Sequence, residues 1–158
     1  MSTTTQPSSP AATGSTVPEL ARRLASHLAA CTGYGRAIVV LVDSRSGETQ
    51  GVVAEGDDTP TGLDALLRLV CSSDPAVVGT NRVHDLALRA LAQRWDTDAL
   101  LVAPCLFGND VVAMVVLPLP PGTTVASPSL VKAVRTLADR FAAGVVRARL
   151  FAAVGLAA

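Results

Sequence analysis

Asp98-Ala99-Leu100-Leu101-Val102-Ala103-Pro104-Cys105-Leu106-Phe107, then Gly108-Asn109-Asp110, then Val111-Val112-Ala113-Met114-Val115-Val116-Leu117-Pro118-Leu119 is the stretch that decides the fold. Two apolar runs rich in β-branched residues flank a turn-forming triplet, which is the pattern of a β-hairpin over Ala99 to Phe107 and Val111 to Leu119. A membrane-spanning helix needs about 20 uninterrupted apolar residues. Pro104 and Gly108-Asn109-Asp110 break this run first, and Pro120-Pro121-Gly122 ends it.

Working outward, Arg36 to Asp43 is nearly apolar on both faces and predicts a central strand. Ser44 to Gly47 turn the chain, and Glu48 to Ala54 return as the second arm of another hairpin. Gly56 to Gly62 read as a loop, and Leu63, Leu66, Leu67 and Val70 as a short helix before Asp74-Pro75. Ala76 to Val83 predict a strand interrupted at Gly79. Leu88, Leu91 and Trp95 mark a short amphipathic helix from Asp85 to Arg94. At the N-terminal side, Thr16, Pro18 and Glu19 have the spacing of a capped helix start. Leu20, Leu24, Leu28 and Cys31 share a face of that helix, and Thr32-Gly33 stop it. Ser127-Pro128 open a long final helix in which Leu130, Val134, Leu137, Phe141 and Val145 share a face.

The whole reads as one α+β domain over 17–158, preceded by a Ser/Thr/Pro-rich, disordered tail at 1–16. Its centre is a mostly antiparallel sheet of five to six strands with flanking N- and C-terminal helices. The tail has no basic start and no apolar run, so it does not read as a secretory signal.

Composition narrows the function. In 158 residues, Lys+Arg and Asp+Glu are both 13, so the formal net charge is zero. Nucleic-acid binding normally requires a basic excess, and electrostatic attachment to an anionic membrane does too; neither partner is expected. Cys31, Cys71 and Cys105 are odd in number and far apart, so no disulfide framework is expected and a reducing, cytoplasmic setting is the simplest. Lys132 is the only lysine amid many Ala, Val and Arg, a bias typical of GC-rich, actinobacterial-type genomes. No dinucleotide fingerprint, phosphate loop, H-E-x-x-H or G-x-S-x-G pattern occurs, and two His residues give no metal-ligand spacing.

The element order and two segments resemble the GAF domain family, which is similar in architecture to PAS domains. One segment is Asp98 to Pro104 followed by Gly108 to Leu117, an apolar strand ending in Ala-Pro, a polar turn and a second strand. The family usually has Gly where this chain has Ala113. The other is Leu137-Ala138-Asp139-Arg140-Phe141-Ala142-Ala143-Gly144-Val145-Val146-Arg147-Ala148-Arg149-Leu150, similar to the family's closing helix. The resemblance spans roughly Val17 to Phe151. It implies a pocket on one sheet face, walled here by about Thr80 to Trp95, and often pairing through the first and last helices. Family members bind cyclic nucleotides, haem, bilins or small metabolites, or nothing, so the cofactor is unknown. The Asn-Lys-Phe-Asp-Glu signature of cyclic-nucleotide members and the Cys-His pair of bilin-binding members are absent.

Five residues form the candidate ligand site. His84 lies in the wall segment and reads either as a ligand contact or pH-sensitive group, or as a loop residue. Asp85 reads as a helix cap or a ligand contact. Arg89, with Arg94, could hold an anion or form a solvated face. Trp95, the single Trp, could stack on a planar ligand or anchor the core. Cys105 could be an attachment or redox thiol, or a buried inert one. The expectation is a non-catalytic, small-molecule-responsive regulatory module. It would act through its terminal helices on a second copy or on another signalling protein. The alternatives are a ligand-free dimerisation module of the Roadblock type and a cysteine redox enzyme. The free methionine sulfoxide reductases, which are GAF enzymes of this size, have three cysteines clustered at the pocket; Cys31, Cys71 and Cys105 do not match that arrangement.

Overall fold

The computed structural model describes residues 16–33, 35–43, 45–56, 76–79, 86–123 and 125–155. Residues 1–15 of the expected 1–16 tail, the helix at Leu63 to Val70, and Cys71, His84, Asp85 and Leu156 lie outside the described residues.

Helix α1 (Val17–Thr32) starts where the caps predict. The Glu19 amide donates to Thr16 Oγ1, and Gly33 ends the helix in the left-handed region at φ 76°. Strands β1 (Ala37–Val42) and β2 (Thr49–Glu55) form the first hairpin, and β3 (Ala76–Gly79) follows. Helix α2 (Leu86–Arg94) precedes β4 (Ala99–Phe107) and β5 (Asp110–Pro118), and α3 (Pro128–Ala153) closes the domain. Ser127 caps α3, its hydroxyl accepting from the Leu130 amide, with Pro128 in the first turn.

The sheet order is β2-β1-β5-β4-β3, and each pairing is antiparallel. Of the five to six strands expected, the described residues supply these five. The third is described from Ala76 to Gly79, paired with Ala99 at its end; the rest of the expected strand, 80–83, lies outside the described residues. Pro104 sits in β4 beyond Val102, the last residue paired with β3, so its missing N–H costs no described ladder bond on that side.

Every side chain of β1 is buried. Alternation sends Ala37, Val39 and Leu41 to one face and Ile38, Val40 and Val42 to the other. The first face lies under α1 and α3, which contribute Ala21, Leu24, Leu28, Val134, Phe141 and Val145. Cys31 departs from the expected apolar stripe and is exposed. The buried positions of α1 run through Ala21, Leu24, Ala25, Leu28 and Ala29, so the stripe continues toward Thr32 and leaves Cys31 beside it.

Two register shifts tailor the sheet. Between Leu41 and Val42 the partner jumps from Gly51 to Thr49, leaving Gln50 as an extra residue. Arg149 of α3 uses this bulge: its Nη2 donates to Gln50 Oε1 at 3.0 Å and to the Val42 carbonyl at 3.2 Å. A second shift between Cys105 and Leu106 leaves Val112 as the extra residue of β5.

Gly56, after β2, has φ 80°, and a side chain there would collide with the Gly35 carbonyl oxygen. Gly56→Ala combines a disfavoured backbone region with a steric clash, and a loss of more than about 1 kcal/mol is expected. Denaturant unfolding measures it; an unchanged midpoint would show that this close approach is not required.

Candidate functional site

The second sheet face is built from the alternate residues of three strands. Ile38, Val40 and Val42 of β1, Leu100 and Val102 of β4, and Met114 and Val116 of β5 form its floor. Val52 and Ala54 of β2 extend it at the edge. Helix α2 lies over the floor, contributing Leu91 and Ala92, and the turn after it contributes Trp95, 6% exposed. The floor is apolar, and its described residues are buried against one another and against α2.

The chain places Trp95 by a tight helix exit. The Trp95 amide donates to the Leu91 carbonyl, the Thr97 amide to the Ala92 carbonyl, and Asp96 adopts φ 52°. Thr97 is the one buried polar side chain among the described residues. Its Oγ1 lies 2.9 Å from the Ala99 carbonyl and 2.7 Å from the Leu119 carbonyl, and its proton serves both. Across the same junction the Leu119 amide donates to the Ala99 carbonyl, and Arg36 Nη1 donates to the Arg94 carbonyl at 3.3 Å. Asp98 Oδ2 accepts from the Gly122 amide and holds the chain leaving β5. Local pattern marks Asp96-Thr97-Asp98 as a turn and gives no sign of these bonds to Leu119 and Gly122. A short polar residue between an amphipathic helix and an apolar strand is the one available signal.

Of the five candidate residues, Trp95 lies within this face and Arg89 is exposed on α2. His84, Asp85 and much of the Thr80 to Trp95 wall lie outside the described residues. Cys105 corrects the expected grouping. It belongs to the opposite apolar cluster, under α1 and α3, because β4 alternation sends Leu100 and Val102 one way and Leu101, Ala103 and Cys105 the other. Trp95 and Cys105 are therefore separated by the sheet.

Burial pushes the Cys105 thiol from 9.0 up to about 12, and the negative charge of Asp139 acts in the same direction. The thiol is held neutral where a redox or attachment cysteine needs a thiolate. Among the described residues, no group of three or more His, Cys, Asp or Glu is placed to hold a metal ion. No described helix is long and apolar enough to cross a membrane.

In a Cys71→Ser background at neutral pH, Cys31 should react rapidly with a thiol reagent and Cys105 only after denaturation; rapid native labelling of Cys105 would contradict its burial. Above pH 9 the unfolded thiol ionises while the folded one does not. Stability should therefore fall as pH rises from 9.0 toward 12, and Cys105→Ala should flatten that part of the profile. Separately, Thr97→Val removes the hydroxyl donor from the Leu119 carbonyl, while the Ala99 carbonyl keeps the Leu119 amide, and should cost about 1–3 kcal/mol in denaturant unfolding; a smaller loss for Thr97→Ser would identify the hydroxyl as the cause.

Neither a scan of protein-family models nor a search of curated proteins returns a match. Solved structures do match. A GAF domain of Synechocystis sp. in its photoproduct state is similar at TM-score 0.65 and 12% identity, covering 88% of this chain and 99% of that one. The GAF domain/HD domain protein from Geobacter sulfurreducens is similar at TM-score 0.61 and 16% identity, covering 87% and 97%. The GAF domain of a two-component sensor histidine kinase from Bacillus halodurans is similar at TM-score 0.60 and 14% identity, covering 85% and 97%. Five strands between helices also suit the Roadblock alternative, so strand count does not separate the two, whereas these neighbours do. At such identities the likeness concerns architecture alone, and the architecture of this chain is a GAF-type fold.

Proposed function

We propose that this chain is a non-catalytic sensory domain that binds a small molecule on the second sheet face. It would pass the change through its terminal helices to a partner, either a second copy or another signalling protein. The observation that carries this reading is the division of labour between the faces. One is occupied by α1 and α3, while the other presents an apolar floor and the chain's single Trp beneath a nine-residue helix. The Arg149 clasp supports the output step, since it ties the end of α3 to the β1–β2 hairpin whose Val52 and Ala54 border the ligand face. The sensory setting is also that of the Bacillus halodurans kinase domain and, by its photoproduct state, of the Synechocystis domain.

A ligand-free interaction module is the second reading. It is favoured by the close packing of the described part of this face, where Leu91, Leu100, Met114 and Val116 are almost wholly buried.

Titration separates the two. Cyclic nucleotides, a linear tetrapyrrole, haemin and purine-type heterocycles would be tested, following Trp95 emission and thermal unfolding together. The sensory reading expects one class to give a saturable emission change with stabilisation of about 2.7 kcal/mol at 100 times its dissociation constant. An invariant emission and unfolding midpoint across the panel would favour the interaction module.

A further inference from the structure

Three of the four large apolar side chains that are exposed among the described residues gather at one end of the domain. Phe107 is 49% exposed at the end of β4, and Leu150 and Val154, one helical turn apart, are 61% and 58% exposed at the end of α3. Phe107, Val112, Val146 and Leu150 line an open cleft of about 290 Å³ there. The Val112 bulge and the α3 terminus build it together. Clustering of exposed apolar groups around a concavity is the signature of a binding surface.

The end of α3 frames this cleft. Gly155 takes φ 74°, and the Val154 and Gly155 amides donate back to the Leu150 and Ala152 carbonyls. The helix stops at Ala153, and Leu150 and Val154 stand at its end beside the cleft.

Charge narrows the occupant further. Arg149 and Asp110 both line the cleft. Arg149 Nη2 is held by two neutral acceptors, which fixes the guanidinium without neutralising it. Asp110 is exposed at the start of β5. The surface thus carries protruding apolar groups, a receiving cleft, one cation and one anion. That is the inventory a self-complementary contact requires, because across a two-fold axis each group meets its counterpart's complement. The formal net charge of zero removes long-range repulsion between copies.

We propose that this end face is the docking surface for a second copy of the chain, with Leu150 entering the partner's cleft and Arg149 facing the partner's Asp110. The inference specifies the partner in the output half of the sensory reading and is independent of whether a ligand binds.

Sedimentation equilibrium of the full chain over a range of concentrations tests it. The expected result is a reversible monomer–dimer equilibrium, weakened about tenfold or more by Leu150→Asp. Val154 lies beyond the helix, so Val154→Asp gives the same readout with the domain core untouched; circular dichroism checks the fold. Asp110→Arg should weaken the dimer by setting like charges opposite each other, and added salt should reduce that defect, which a folding defect would not do. A monomer at every concentration overturns the proposal, as does a dimer indifferent to Leu150→Asp, Val154→Asp and Asp110→Arg. Either failure leaves the Trp95 titration unaffected, so the two readings fail separately.

Discussion

A sheet whose central strands are apolar on both faces cannot stand with one face in water. β1 makes this plain: all six of its side chains are buried, three toward each side. Exposing either set would forfeit roughly 1.5–3 kcal/mol per large side chain. The chain is therefore committed to covering both faces, and among the described residues the two covers differ. One is a pair of long helices packed side by side, with Gly144 of α3 close against Leu20 of α1. The other includes a helix of nine residues, fixed at one end by its turn.

The polar contacts make sense within this frame. Few are buried, and those that occur sit where elements meet. Thr97 joins the helix exit to both arms of the central hairpin. Arg149 joins the last helix to the first hairpin through groups set out by the Gln50 bulge. In an apolar domain such bonds specify how layers sit on one another, while burial supplies the cohesion.

Much of this was legible in the sequence because it depends on local pattern. Thr16 and Ser127 announced their helices by capping chemistry, and Gly108-Asn109-Asp110 announced the central hairpin by turn chemistry. Strand order was not legible, since nothing local tells β1 to lie beside β5. The site was read less well. Cys105 stands with Trp95 among the candidate ligand residues for its thiol chemistry, yet parity along β4 sends the thiol to the helix-covered face. The Arg149 clasp spans 99 to 107 residues and passes through a bulge, so no spacing rule could have marked it.

The bonds around Thr97 also constrain motion. The C-terminal end of α2 is held by its own carbonyl ladder, by the guanidinium of Arg36 and by the mouth of the central hairpin. A helix anchored so firmly at one end behaves as a lever with its fulcrum there. Any displacement of α2 over this sheet face is then smallest beside Trp95 and grows with distance along the helix from that anchor.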